Sequence, residues 1–133
     1  MPSSRWSVGW EKRLNEFLDS VGPFEWGSND CCMFAVKAVE VMTGEDHGKP
    51  YRGYKTALGA ARRLEKHGGV EGIATIELGA PKPILYVKRG DVVSVKNDGN
   101  LLLGICLGDK IAAVSETGLV FLSTDTIQNA WSV

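Results

Sequence analysis

One apolar segment constrains the fold of this chain more than any other. Residues 31–43 read Cys-Cys-Met-Phe-Ala-Val-Lys-Ala-Val-Glu-Val-Met-Thr, with two charges among thirteen residues. A helix that is apolar on nearly every side is buried on nearly every side, so other elements must surround it. Asn29 or Asp30 can cap its first turn. The segment therefore predicts a central, buried helix that begins at Cys31.

Size and charge narrow the functional classes. The chain has 133 residues and a mass of 14.4 kDa, and its 44% hydrophobic and 23% charged residues suffice for the packed core of one domain. A net charge of −1 gives no electrostatic basis for binding nucleic acid or an anionic membrane. No segment approaches the roughly 20 apolar residues of a membrane span, and residues 1–6 lack the apolar core of a signal peptide. These features predict a protein made in the cytoplasm.

Helical periodicity dominates the first part of the chain, and strand patterns dominate the second. Apolar residues from Trp10 to Val21 recur at helical spacing, and further helices are predicted over 54–67 and, weakly, over 70–78. Short apolar runs follow and predict strands, with a last helical turn at 124–130. Helices followed by a small antiparallel sheet define the α+β class. The predicted strands cover residues 91–96, 101–107, 110–114 and 119–122, with 101–107 in the interior of the sheet.

The segment Trp26-Gly27-Ser28-Asn29-Asp30-Cys31 contains the residues best suited to chemistry. It places Cys31 in the first turn of the buried helix, where free backbone N–H groups and the helix dipole stabilise a thiolate. Cysteine hydrolases present their nucleophile in this way. The alternative is that Cys31 is a small apolar core residue. Cys32 and Cys106 lie within apolar runs and are interpreted as core.

A cysteine nucleophile requires a base, and the chain has two histidines. His47 lies in the polar loop 45–53 and His67 at the end of the third predicted helix, and both positions favour solvated side chains. His47 becomes a candidate base if its loop folds over Cys31. The adjacent cysteines lack the spacing of zinc ligands, and an odd cysteine count argues against a disulfide framework. We therefore expect no metal and no cofactor.

Three motifs resemble the NlpC-type cell-wall peptidases, which have a papain-like fold. Their Asp-Cys-Ser-Gly-Phe, Gly-Asp-Leu-Val and His-Val-Gly-Ile-Tyr-Leu-Gly segments are matched by Asp30-Cys31-Cys32-Met33-Phe34, Gly90-Asp91-Val92-Val93 and Leu102-Leu103-Gly104-Ile105-Cys106-Leu107-Gly108. The resemblance covers residues 24–115 and implies that Cys31 occupies the nucleophile position. It also implies that Leu102 stands where the family has its histidine, and that Ala112 lies near the third polar position. Apolar residues thus occupy two of the three catalytic positions.

This resemblance implies a remnant cleft beside Cys31, formed by Trp26, Asp30, Leu102 and Ala112. Aligning residues 104–108 with the histidine-bearing strand predicts that the Leu102 side chain faces Cys31. A shift of one residue along the strand would turn that side chain to the other face of the sheet. The orientation of Leu102 is therefore a specific test of the alignment.

The whole chain looks more like a small phage and prophage family of the same fold. Proteins of that family are encoded among tail genes, which implies other tail proteins as partners and a location in the virion tail or, during assembly, the host cytoplasm. It implies a single papain-like domain over residues 1–133, with an N-terminal helix in 1–23, a helical half in 24–80 and a sheet half in 81–133. The segments that carry the resemblance are Trp10, Phe24–Ala35, Arg89–Val92, Gly118–Leu122 and Ala130–Val133.

Three functions are compatible with these patterns. The first is a catalytically degenerate papain-like domain at the tail tip or in tail assembly, and the second is a cysteine hydrolase of peptidoglycan peptides that uses Cys31 with an atypical base. The third is a module that binds a peptide or small molecule in the remnant cleft. The missing histidine favours the first, because leucine cannot supply general acid–base catalysis worth roughly 10²–10⁴ in rate. Trp6 and Trp131 are candidate anchors for a partner if they are exposed.

Overall fold

Helices precede a five-stranded sheet in the computed structural model, which describes residues 8–133. This order confirms the α+β class. The two longest helices lie where apolar periodicity predicts them, and the segment after residue 68 forms a full helix rather than a weak one. The helices are α1 (Trp10–Ser20), α2 (Cys31–Thr43), α3 (Ala57–Glu65) and α4 (Gly69–Leu78), and the strands are β1 (Val92–Asn97), β2 (Asn100–Cys106), β3 (Ile111–Ser115), β4 (Gly118–Leu122) and β5 (Ile127–Trp131).

The sheet has the strand order β4-β3-β2-β1-β5, and every neighbouring pair is antiparallel. A two-residue turn joins β1 to β2, with Asp98 at φ 51° and Gly99 at φ 79°, as a tight hairpin of this hand requires. β2 is an interior strand, which confirms that prediction. The helical turn predicted at 124–130 is wrong, because a short 3₁₀ turn (Thr124–Thr126) leads directly into β5. The partner of β5 is β1, more than thirty residues earlier, so local periodicity gives no sign of the pairing.

α2 lies at the centre of the molecule and begins at Cys31, as predicted. It packs against β2 and β3 on one side and against α1 on another. Phe34, Ala38 and Met42 are fully buried, and Phe17 of α1 stacks on Phe34 with 5.5 Å between the ring centroids. Contacts on several sides account for the absence of a polar stripe along this helix.

Polar contacts fix α4 to the sheet. The Glu71 carboxylate accepts hydrogen bonds from Ser94 Oγ at 2.7 Å and from Asn129 Nδ2 at 2.8 Å, and Trp131 Nε1 donates to Thr75 Oγ1 at 3.1 Å. The Trp131 side chain is 1% exposed. Trp131 is therefore a core residue and not an exposed anchor, while Trp6 lies outside the described residues.

Each face of the sheet carries its own apolar cluster. Adjacent residues of a strand belong to different clusters, as expected when successive side chains point to opposite faces. Only every second residue of β2 therefore has its side chain on the face toward α2. The face toward α2 includes Val92, Leu103, Ile105, Ala112, Val114 and Trp131, and the opposite face includes Val93, Val95, Cys106, Ile111, Ile127 and Ala130.

Candidate functional site around Cys31 and His47

Asp30 caps the helix that Cys31 opens. Its side chain is 2% exposed and accepts a hydrogen bond from the Met33 backbone N–H at 2.9 Å. The other carboxylate oxygen accepts from the Gly27 N–H at 2.9 Å and from the Tyr54 hydroxyl at 2.5 Å. The buried carboxylate is thus satisfied on both oxygens by the cysteine loop, the helix and Tyr54. Asp30 fixes the position of Cys31 at the start of α2.

Gly27 allows the cysteine loop to approach Tyr54 closely. Its φ of +86° lies in the left-handed region, and a Cβ built on it would lie 2.0 Å from the Tyr54 carbonyl oxygen. A side chain at this position would therefore clash with the Tyr54 backbone and would also strain the backbone of residue 27. Trp26, the preceding residue, packs against the apolar cluster around Cys32 and meets Phe24 edge to face at 4.7 Å between centroids. The loop is held by these contacts in one conformation.

The environment of Cys31 keeps its thiol protonated. Burial, and after it the negative charge of Asp30, raise the pKa of Cys31 from 9.0 to about 11, while the backbone amides of Leu103, Cys32 and Cys31 act in the opposite direction. The expected thiolate at the helix N-terminus is therefore not formed at neutral pH. The dipole effect is outweighed mainly by burial of the sulfur, and then by the negative charge of the capping carboxylate beside it.

Cys32 and Cys106 are core residues, as predicted. Cys32 is 2% exposed and packs with Met33, Tyr51 and Tyr54, and burial is the largest cause of a thiol pKa raised to about 12. Cys106 is 1% exposed on the sheet face away from α2. All three cysteines are free thiols.

The prediction that Leu102 faces Cys31 is wrong. Leu102 packs against the cluster on the far face of the sheet, whereas Leu103, the next residue, belongs to the cluster under α2. The backbone of Leu103 is the part of β2 that approaches the Cys31 sulfur. Ala112, the second apolar replacement, is fully buried in the core on the α2 side. No imidazole placed at residue 102 could reach Cys31 without a shift of the strand by one residue.

His47 has one partner on α4 and another in its own loop. Its Nδ1 lies 2.8 Å from Glu77 Oε1, and Tyr51 donates its hydroxyl to Glu77 Oε2 at 2.7 Å. His47 Nε2 lies 3.9 Å from a Glu45 carboxylate oxygen. The His47 side chain is 23% exposed, so it is more enclosed than the solvated side chain predicted for the loop. The loop folds against α4, and the contacts of His47 there are with carboxylates.

A small cavity separates this polar cluster from the core. Its volume is about 30 Å³, which is room for about one water molecule. Cys32 contributes to its wall together with His47 and Glu77, while Cys31 does not. The remaining wall is mainly aliphatic, from side chains of α2, α4 and the sheet. The cavity is too small for a peptide substrate.

Sequence reasoning missed the two tyrosines and Glu77. Tyr54 binds the capping carboxylate, and Tyr51 shares Glu77 with His47, so both loops around α2 are tied down by phenol groups. Their partners are 24 and 26 residues away along the chain. The available signal was the presence of two tyrosines in the otherwise polar stretch 45–56, a composition that favours a packed segment over a solvated one.

Within residues 8–133, no group of three or more histidine, cysteine or acidic side chains has the arrangement of a metal site. In the same residues, no helix has the length and apolar character needed to cross a membrane.

Comparison with known protein families finds one family that matches this chain. Residues 6–133 match the family described as Domain of unknown function (DUF6950). The chain belongs to the DUF6950 family. No curated protein matches the sequence. The DUF6950 match includes α1 and β5 as well as the cysteine loop, so the family spans the whole described fold.

The chemistry available to this DUF6950 protein follows from how its polar groups are paired. Cys31 has a satisfied carboxylate beside it, and the imidazole with an orienting carboxylate lies in the loop packed on α4. A cysteine hydrolase needs the thiol and the imidazole within hydrogen-bond reach of one another. Among the described residues, no hydrogen bond joins a histidine to Cys31. The thiol and the imidazole therefore belong to two separate polar clusters in this structure.

Proposed function

We propose that this protein is a phage or prophage tail-associated component, built on a catalytically degenerate papain-like domain of the NlpC type. Its partners are other tail proteins, and it acts at the tail tip or in tail assembly. The order of its motifs supports this proposal, because the cysteine loop, the central helix and the antiparallel strands occur in the order of those peptidases. An interior β2 packed on a cysteine-opened helix is also the arrangement that the resemblance implies.

The position of the Cys31 thiol, enclosed beside the buried capping carboxylate of Asp30, is the observation that carries the proposal. Burial and the Asp30 carboxylate raise the pKa of this thiol to about 11, whereas a catalytic cysteine needs a lowered pKa or an adjacent base. Leu102, which the motif alignment places at the family's histidine, points away from the sulfur, and Leu103, which lies on the Cys31 side, is not a base either. A protein that keeps the scaffold without an activated nucleophile is suited to a structural role.

A second candidate function is a cysteine hydrolase with His47 as its base. The contact of 2.8 Å between His47 and Glu77 supports it, because a carboxylate that holds an imidazole is the usual orienting pair of such enzymes. This function requires loop 45–53 to leave α4 and carry His47 to Cys31. The hydrogen bonds from His47 and Tyr51 to Glu77 oppose that movement.

Hydrolysis of purified muropeptides distinguishes the two functions. The pure protein is incubated between about pH 5 and 9, the range in which acid–base catalysis by an imidazole is seen, and new amines are counted. Cys31→Ala and His47→Ala variants serve as matched controls. We expect no turnover in any sample. Turnover abolished by both substitutions would establish a Cys31–His47 pair and contradict the proposal, and turnover lost in Cys31→Ala alone would show a different base.

Phage assembly tests the structural role directly. Particles made without this protein should have incomplete tails, and expression of either the wild-type chain or Cys31→Ala in trans should restore them. Restoration by Cys31→Ala is expected because the thiol takes no part in the proposed role. Complete tails in the absence of the protein would contradict the proposal.

A further inference from the structure

The two edges of the sheet differ in how they are protected against pairing with another strand. At the β5 edge, the Lys82 backbone N–H donates to the Ala130 carbonyl at 2.8 Å, and prolines precede and follow Lys82 in the sequence. Prolines and lysines are common devices that block further pairing at an edge strand. At the other edge, β4 carries five uncharged residues, Gly-Leu-Val-Phe-Leu, without proline. Within residues 8–133, no element pairs with its outer side.

Strand register identifies the backbone groups that β4 leaves unpaired. The Leu107 N–H donates to the Lys110 carbonyl, which makes these residues a hydrogen-bonded pair at the β2–β3 turn. Because such pairs alternate along antiparallel strands, Ala112 bonds toward β2 and its neighbours bond toward β4. Val120 faces Ala113 and therefore bonds inward. The N–H and C=O groups of Leu119 and Phe121 point outward.

The side chains at this edge are apolar and partly exposed. Phe121 is 52% exposed, with the Lys110 ammonium 4.6 Å from its ring centroid, and Leu119 is half-buried against the cluster under α2. Val120 and Leu122 are also partly exposed. An uncharged strand with free outward backbone groups fits another extended strand.

We propose that β4 pairs antiparallel with β4 of a second copy of this chain, about a two-fold axis at Val120. This pairing joins the two sheets into one. It places Leu119 of each copy opposite Phe121 of the other, so the residues with outward backbone groups form hydrogen-bonded pairs and their side chains meet on the same face. The proposal goes beyond the tail-associated function and does not depend on it.

The self-complementarity of β4 favours a second copy as the occupant, because one two-fold axis lets the outward backbone groups of Leu119 and Phe121 satisfy each other. The same register places Glu116 opposite Thr124 and Asp125 opposite Ser115, so the acidic residues of the two copies are offset by one position rather than directly opposed. The chain's net charge of −1 adds little repulsion between copies. Pairing along a five-residue edge buries little surface compared with the roughly 1,200–2,000 Å² of a standard interface. We therefore expect the association to be weak.

Sedimentation velocity measures the self-association. Between roughly 10 μM and 1 mM, a range typical of weak complexes, the wild-type chain should shift toward twice its mass of 14.4 kDa. Phe121→Pro removes an outward N–H while leaving the inward bonds of Val120 and Leu122, and it should weaken dimerisation at least about tenfold. Phe121→Leu keeps the N–H and should stay within about threefold of wild type. A wild-type chain that remains monomeric at about 1 mM, or Phe121→Pro that dimerises equally, would overturn the proposal.

A disulfide test reads the register itself and does not depend on the fold of the proline variant. In the proposed dimer, Val120 of one copy faces Val120 of the other in a non-hydrogen-bonded pair. The Cα atoms of such a pair lie about 4.5 Å apart, a distance at which a disulfide can form. Val120→Cys should therefore cross-link efficiently under mild oxidation. Leu122→Cys, which faces Gly118 of the other copy, should not cross-link above the wild-type level. Equal cross-linking of both variants would contradict the two-fold register.

Discussion

The N-terminal end of α2 and the loop 45–53 hold a thiol and an imidazole in two separate polar clusters. At α2, the Asp30 carboxylate accepts three hydrogen bonds, and burial together with the Asp30 charge raises the pKa of Cys31. In the loop, Glu77 receives Tyr51 and contacts His47 at 2.8 Å. Each cluster is satisfied within itself, so neither has a group left to activate the other. The comparison shows that a thiol and an imidazole in one small fold can each be held by partners of their own.

The two clusters also differ in how far their side chains are buried from solvent. Asp30 is almost fully buried, while the His47 and Glu77 side chains are 23% and 21% exposed. Breaking a buried carboxylate's contacts costs more than breaking those of a partly solvated one, because water can replace the lost partners at the surface. The cysteine cluster should therefore contribute more to stability than the histidine cluster, and the variants below test this order.

Asp30→Ala should have the largest effect, a loss of about 3 kcal/mol in the free energy of unfolding. The substitution removes the helix cap and leaves the Gly27 N–H and the Tyr54 hydroxyl without their partner. Asp30→Asn keeps an acceptor and should lose about 1 kcal/mol. Urea unfolding followed by tryptophan fluorescence measures both. A loss below about 1 kcal/mol for Asp30→Ala would show that the capping cluster does not stabilise the fold.

Glu77→Ala should cost about 2 kcal/mol, since it removes the shared partner of His47 and Tyr51. Glu77→Gln retains hydrogen-bonding capacity and should cost about half as much. Glu65→Ala, an exposed position on α3, is the matched control and should change stability by less than about 0.5 kcal/mol. The same urea titrations apply. A larger loss for Glu77→Ala than for Asp30→Ala would reverse the comparison.

The elements with distinctive local patterns were predictable from sequence, and the contacts between distant elements were not. The apolar run 31–43 predicted α2 and its burial, and Asp30 was one of two residues expected to cap it. β5 was missed because its pairing with β1 is non-local. Leu102 was assigned to the wrong face because its orientation came from aligning residues 104–108 with the histidine-bearing strand, and the three leucines at 101–103 show no alternation that could correct it.

The candidate site was less predictable than the fold for the same reason. Cys31 and His47 were identifiable as residue types with possible chemistry, but their pairing depends on where Tyr54 and Glu77 lie in three dimensions. The helix dipole predicted a thiolate at Cys31. A capping carboxylate and burial oppose it, and burial is a property of the packed structure.

Leu102→His should have the smallest effect of the three substitutions. It restores the histidine of the NlpC-type motif in sequence, but position 102 faces the sheet surface away from α2, so the imidazole cannot reach Cys31. We expect no muropeptide hydrolysis from this variant and a stability loss of about 1 kcal/mol from a polar group on a half-buried apolar surface. Amine release that requires both this histidine and Cys31 would show that the strand register differs from the one described.

The pH dependence of Cys31 alkylation tests the central claim most directly. The intact protein is treated briefly with iodoacetamide across a pH series, and modification of the Cys31 peptide is quantified by mass spectrometry, with the buried Cys32 and Cys106 as internal references. The thiolate is the reacting species, so the rate should rise as pH increases toward a midpoint near 11, and Asp30→Asn should lower that midpoint. A rate that already reaches its plateau below about pH 7 would reveal an activated thiolate and contradict the non-catalytic account.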